Sequence, residues 1–190
     1  MASEAAEQLG QRPTHIVLQA GVGSMAGAVA GYFANLYPEA PPKVVVVEAS
    51  GADCHDRSAL AGDGPPRAVG GDLNTIMAGL ACGEVNPISW DILRRCAAAF
   101  VSCPDWVSAR GMRMLAAPLK GDPVVTSGES GAVGMGLIAA IMEDNTLSDL
   151  RQALELDSSS RVLLFSTEGD TDPERYRSIV WNGAYASDRK

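Results

Sequence analysis

Short apolar runs alternate with helical patterns of small residues along this chain of 190 residues. His15 to Gln19 holds Ile16, Val17 and Leu18 in series, which predicts a buried strand. Ala20 to Ser24 is a glycine-containing turn, and Met25 to Leu36 is small and apolar enough for a helix packed tightly on a sheet. Pro38, Pro41 and Pro42 stop that helix. Lys43 to Glu48 contains four consecutive valines and predicts a second buried strand. Strand, helix and strand in this order form a βαβ unit, with parallel strands and a right-handed crossover.

The rest of the chain continues the alternation. Ser3 to Leu9 predicts a helix ending at Gly10. Ser50 to Asp72 is rich in Gly, Pro and Asp and reads as irregular. Ile76 to Cys82 predicts a short helix, Trp90 to Ala98 a helix capped by Ser89, and Ala99 to Cys103 a strand. Pro104 to Ala116 predicts a helix with Pro in its first turn. Val124 to Thr126 reads as a strand stub before a second glycine turn, Ser127 to Gly131, and Ala132 to Met142 as the helix after it. Thr146 to Leu154 predicts a helix capped by Thr146, and Val162 to Ser166 a further buried strand. Asp172 caps a last helix to Val180, with Pro173 at its first position. The expected fold is α/β: a doubly wound, mostly parallel sheet with flanking helices, in a single domain over 1–190. Ligands of such sheets sit beyond the carboxyl ends of the strands, so the turns at Ala20–Met25, Ser127–Gly131 and Ser166–Gly169 are the places to look.

Composition narrows the function classes. Apolar residues are 46% of the chain and charged residues 20%, which excludes a disordered or low-complexity segment. No apolar run reaches the roughly 18–20 residues of a membrane span, and Met1 to Gly10 is too acidic and polar for a secretory signal. Fifteen basic against 23 acidic side chains give a net charge of −8, which disfavours nucleic acid and anionic membranes as partners. Cys54, Cys82, Cys96 and Cys103 form no C-x-x-C pair and no zinc-like pattern with His15 or His55. No metal site is expected. Four unpaired thiols are expected in a reducing compartment, the cytoplasm.

The turn Gln19-Ala20-Gly21-Val22-Gly23-Ser24-Met25 joins a strand to a helix. Its glycines let a ligand approach the main chain, and the helix start offers free N–H groups with the positive end of the dipole. A phosphate suits this geometry. Gly21-x-Gly23-x-x-Ala26 also fits a dinucleotide fingerprint, with Glu48 where a ribose-binding acid would stand. Taken alone, the segment leaves three readings open: a nicotinamide dinucleotide, another phosphate ligand, or tight helix–strand packing with no ligand.

Four ordered segments weigh between them. Thr14 to Gly27 (THIVLQAGVGSMAG), Gly71 to Glu84 (GDLNTIMAGLACGE), Ser127 to Val133 (SGESGAV) and Ser166 to Tyr176 (STEGDTDPERY) lie in order and are spread along nearly the whole chain. Together they resemble the diaminopropionate ammonia-lyases, a family of pyridoxal-phosphate enzymes of fold type II, the tryptophan synthase β group. The resemblance implies pyridoxal 5′-phosphate as cofactor, with its phosphate on the backbone of Gly21, Val22, Gly23, Ser24 and Met25. It implies Ser166, or failing that Thr167, as the hydroxyl at the pyridine nitrogen, and places Ser127 to Gly131 beside the ring. The implied reaction is α,β-elimination of 2,3-diaminopropionate, a small amino acid, to pyruvate and ammonia.

The reaction needs a lysine that forms a Schiff base and moves protons. In the family it precedes the glycine loop. The lysines here are Lys43, Lys120 and Lys190, and none stands in a context resembling that motif. No catalytic residue is therefore assigned. The chain is expected to be the C-terminal part of such an enzyme, inactive alone, and to work with a complementing N-terminal half or as a homodimer. Two other classes remain: a nicotinamide-dinucleotide oxidoreductase module resting on Gly21, Gly23, Ala26 and Glu48, and a non-catalytic remnant.

Overall fold

The computed structural model describes residues 1–187. The strands β1 (His15–Gln19), β2 (Lys43–Ala49), β3 (Ala97–Cys103) and β4 (Val162–Leu164) form one sheet in the order β3-β2-β1-β4. Every pairing is parallel, and His15 stands opposite both Lys43 and Val162, so the strands share one carboxyl end. The helices are α1 (Ala2–Gln8), α2 (Ser24–Leu36), α3 (Cys54–Ala61), α4 (Pro87–Cys96), α5 (Asp105–Ala116), α6 (Glu129–Glu143), α7 (Ser148–Leu154) and α8 (Pro173–Val180).

Alternate side chains of the buried strands sort the helices onto two faces. Val17, Val45 and Val47 pack with Val107 and Met112 of α5, Val133 and Leu137 of α6, and Ile179 of α8. Ile16, Leu18, Val44 and Val46 point the other way, onto Val29 and Phe33 of α2 and Leu93 of α4. Both layers are apolar, so the strands carry continuous hydrophobic runs rather than an alternation. The expected α/β sheet with flanking helices is present, and β1, α2 and β2 form the predicted βαβ unit.

Several local expectations are corrected. The stretch read as irregular contains α3, whose first turn is capped from β2 rather than by a neighbour in sequence. Ile76 to Cys82 holds only a single 3-10 turn at Ala78–Leu80. Helix α4 starts earlier than predicted: the Asn86 side chain accepts from the Ser89 N–H, and Pro87 takes the first position. Ser89 is not the cap; it is buried and packs against Gly27 of α2. Val124 to Thr126 pairs with no strand, and Val124 is exposed. Thr146 lies in a 3-10 turn ahead of α7, where Asp144 accepts from its N–H. Asp172 does cap α8, accepting from the Arg175 N–H at 3.0 Å.

Candidate cofactor-binding site

The turn after β1 runs into the N-terminus of α2. A Cβ on Gly21 would meet the Gly79 carbonyl oxygen at 2.9 Å and Cys82 Sγ at 3.0 Å, so only glycine fits there. Gly23 is the N-cap of α2 with φ of 88°, in the left-handed region. It has no side chain with which to cap the helix, so the first-turn N–H groups at Ser24 and Met25 are left for an external acceptor. Val22 and Ser24 are exposed, and Met25 is half-buried. The Val22 carbonyl accepts from the Asn86 N–H at 2.8 Å, which ties the turn to α4. A backbone cradle at the positive end of a 13-residue helix suits an anion.

The other motif segments converge on the same end of the sheet. Gly79 N–H donates to Ser130 Oγ at 3.2 Å, and Ser130 N–H donates to Glu168 Oε2 at 2.8 Å. Glu168 thus caps α6 from the turn after β4, and Gly128 is the N-cap residue itself. Ser127 lies buried with its Oγ 3.0 Å from Ser166 Oγ, the hydroxyl that donates to it. Gln19 Nε2 donates to the Phe165 carbonyl at 2.7 Å and to Thr167 Oγ1 at 3.0 Å, joining the ends of β1 and β4. Asp105 holds the remaining segment by accepting from Thr75 Oγ1 at 2.6 Å and Ile76 N–H at 3.2 Å. Ser166 and Thr167 are both exposed at the strand end; Thr167 is engaged by Gln19, and Ser166 faces Ser127.

Two buried carboxylates were not legible as such in the sequence. Glu48, which stands where a ribose-binding acid would, has no exposed surface. Its Oε1 accepts from His55 N–H at 3.0 Å and lies 2.7 Å from His55 Nδ1, and its Oε2 accepts from Asp56 N–H at 2.8 Å. Both oxygens are spent on the N-terminus of α3. The nicotinamide reading therefore loses the acid on which it rested. Cys54 Sγ lies 3.5 Å from Glu48 Oε1, and burial followed by the Glu48 charge pushes this thiol up to about 12. Glu48, Cys54 and His55 bring ligand-type atoms within 4.8 Å of one another, and hydrogen bonding within the group accounts for that proximity. Glu129, at the start of α6, is raised from its ordinary range by burial first and by Glu168 next.

Residues 1–168 match the family described as pyridoxal-phosphate dependent enzyme. The chain belongs to that family. It is 50% identical over 189 residues to diaminopropionate ammonia-lyase of Escherichia coli K12, which covers 98% of this chain and 47% of that protein. The Salmonella typhimurium LT2 enzyme of the same name is 51% identical over 191 residues, with the same coverage. The chain thus spans about half the length of the curated relatives it matches. The Escherichia coli enzyme crystallised with D-serine superposes with a TM-score of 0.88 at 48% identity, over 97% of this chain and 46% of that one. Maize serine racemase, at 22% identity and TM-score 0.69 over 96% of this chain and 51% of that one, shares the fold.

Ligands of open parallel α/β sheets bind beyond the carboxyl ends of the strands. Lys43 does not reach that end: it opens β2 at the opposite, amino end of the sheet, where Nζ lies 3.0 Å from Glu155 Oε2. Lys120 is exposed in the turn between α5 and α6. Lys190 lies outside the described residues.

Proposed function

We propose that this chain carries the phosphate-binding and ring-nitrogen side of a diaminopropionate ammonia-lyase. The carrying observation is the convergence of the four motif segments at the carboxyl end of the sheet, with Gly79 and Cys82 beside Gly21 of the turn that opens α2. The identity to enzymes of that name supports the substrate, 2,3-diaminopropionate, which with water gives pyruvate and two molecules of ammonia.

The residues of the site divide the work. The backbone N–H groups from Gly21 through Met25, Val22 and Gly23 among them, hold the phosphate, and the Ser24 hydroxyl adds a donor. Gly21 and Gly23 let the turn pack closely on Gly79, Cys82 and His55, where a Cβ would clash. Ser166 Oγ, which donates to the buried Ser127 Oγ, is the hydroxyl that would meet the pyridine nitrogen. A neutral hydroxyl there donates a hydrogen bond without passing a full proton to the ring, which suits β-elimination. When bound, pyridoxal phosphate supplies an aldehyde that holds the substrate amine and a ring that spreads the negative charge left by loss of the α-proton. The lysine that moves protons comes from outside these 190 residues, from a complementing N-terminal half. In this reading the described residues act as one α/β unit, and the free thiols fit a reducing compartment, the cytoplasm. Among the described residues no helix is long and apolar enough to cross a membrane.

Binding of 4′-deoxypyridoxine 5′-phosphate, which lacks the aldehyde, tests the cradle directly. Fluorescence titration should show binding of this compound and none of its dephosphorylated form. Equal binding of both forms, or binding of NADH in their place, overturns the proposal.

A further inference from the structure

Behind the glycine turn lies a buried acid–imidazole pair that the proposed reaction does not use. His55 has no exposed surface. Its Nδ1 is 2.7 Å from Glu48 Oε1, and its Nε2 has no hydrogen-bond partner. That free nitrogen is aimed at the N-cap of α2: a Cβ on Gly23 would sit 2.3 Å from Nε2 and 2.9 Å from Cε1. The ring is clamped by Phe100, stacked at 6.5 Å and 10°, and by Trp90 at 6.3 Å.

The surroundings fix the chemistry. With Nδ1–H donating to Glu48 Oε1, the tautomer on which the inference is built, Nε2 carries either a lone pair or, on protonation, the second N–H of an imidazolium. From β2 the ring faces Glu48; on its own helix stand Cys54, which is held as the neutral thiol, and Asp56, which is raised by burial first. The contacts from α4 and β3 are the rings of Trp90 and Phe100, and the turn presents Gly23. A dianion placed on the first turn of α2 would therefore bring a second negative charge to the far side of the same ring, in a low-dielectric setting where Coulomb terms are large.

We propose that the Glu48–His55 pair is part of the anion site, and that binding of a phosphate ester in the Gly21–Met25 turn draws a proton from solvent onto His55 Nε2. The imidazolium then stands between the Glu48 carboxylate and the phosphate. The inference rests on the reading of that turn as a phosphate loop. His55 acts as a positioning residue, holding charge and shape behind the backbone that meets the ligand.

Calorimetric titration of the chain with 4′-deoxypyridoxine 5′-phosphate at about pH 8, well above the ordinary histidine range, reads both quantities. Repeating it in buffers of different ionisation heat gives the protons taken up. The wild-type chain should take up about one proton more per ligand than His55→Gln or His55→Phe, and both variants should bind about tenfold more weakly. The Phe variant preserves the aromatic packing, and circular dichroism checks the fold of each. Weaker binding with unchanged proton uptake overturns the proposal, because a packing role alone gives that result. Unchanged affinity and uptake overturn it too. No binding of the phosphate ester by the wild-type chain overturns the phosphate-loop reading itself, and this inference with it.

Discussion

A methyl group on Gly23 would lie 2.3 Å from His55 Nε2, so the turn after β1 and the first turn of α3 are built against each other. Gly23 also sits at φ of 88°, which any other residue adopts at a cost. Gly23→Ala should therefore cost about 2–3 kcal/mol of stability and abolish phosphate-ester binding. Thermal denaturation and titration of the same preparation check both. A fully stable variant with normal affinity would show that the ring moves aside freely.

Glu48 accepts two buried N–H groups of α3 and one of the His55 ring nitrogens. Glu48→Ala leaves all three buried without an acceptor. The expected loss is on the order of 3 kcal/mol, with α3 fraying first. Hydrogen exchange at the His55 and Asp56 amides should accelerate more in this variant than exchange in β1 or β2. Uniform acceleration across the sheet would contradict the assignment of Glu48 as the cap of α3.

Much of this architecture was legible from residues 1–49 alone, because the apolar runs of β1 and β2 and the small-residue helix between them encode a βαβ unit locally. The four motif segments were legible as a set, and the structure gathers them at one strand end. Helix α3 was not. It is short, lies among Gly, Pro and Asp, and takes its cap from Glu48 on another element. Periodicity cannot see a cap supplied across the fold. Glu48 was misread for the same reason: it is the polar end of an apolar strand, and the partners of its oxygens, the His55 and Asp56 N–H groups, come from a helix the sequence did not reveal. The Val124 to Thr126 stub was apolar enough for a strand but has no neighbour with which to pair. Ser89 has a capping side chain, but Asn86 stands three residues earlier with Pro87 behind it, and that pair sets the helix start.

Glu129 provides a pH signature. Burial raises it in the folded chain above its value in the unfolded one, with Glu168 and Asp172 adding and Arg175 opposing. The folded state therefore holds that proton more tightly. The stability from this group is fully present below its ordinary range, and is lost as pH rises through the folded value. Glu129→Gln removes the ionisation. It should raise the Tm at about pH 7 and change it little at about pH 4. A Tm that falls at neutral pH would show that the ion pair with Arg175, at 4.0 Å, outweighs burial.

Lys43 pairs with Glu155 at the amino end of β2, with side chains 30% and 80% exposed. Lys43→Met should change stability by about 0.5 kcal/mol or less. It should also leave the activity of an assembled enzyme intact, as read by pyruvate release. Loss of turnover in this variant, with stability preserved, would assign the Schiff base to Lys43.

Pyruvate release from 2,3-diaminopropionate, with pyridoxal phosphate added, tests the central claim most directly. The chain is assayed alone and after co-expression with a lysine-bearing N-terminal half from a diaminopropionate ammonia-lyase. The expected result is no pyruvate from the chain alone and turnover from the assembled pair, lost again in Gly23→Ala. Pyruvate from the chain alone would contradict the claim that the proton-moving lysine comes from outside these 190 residues. A co-purifying pair that releases none would contradict the assignment of this chain to the lyase reaction.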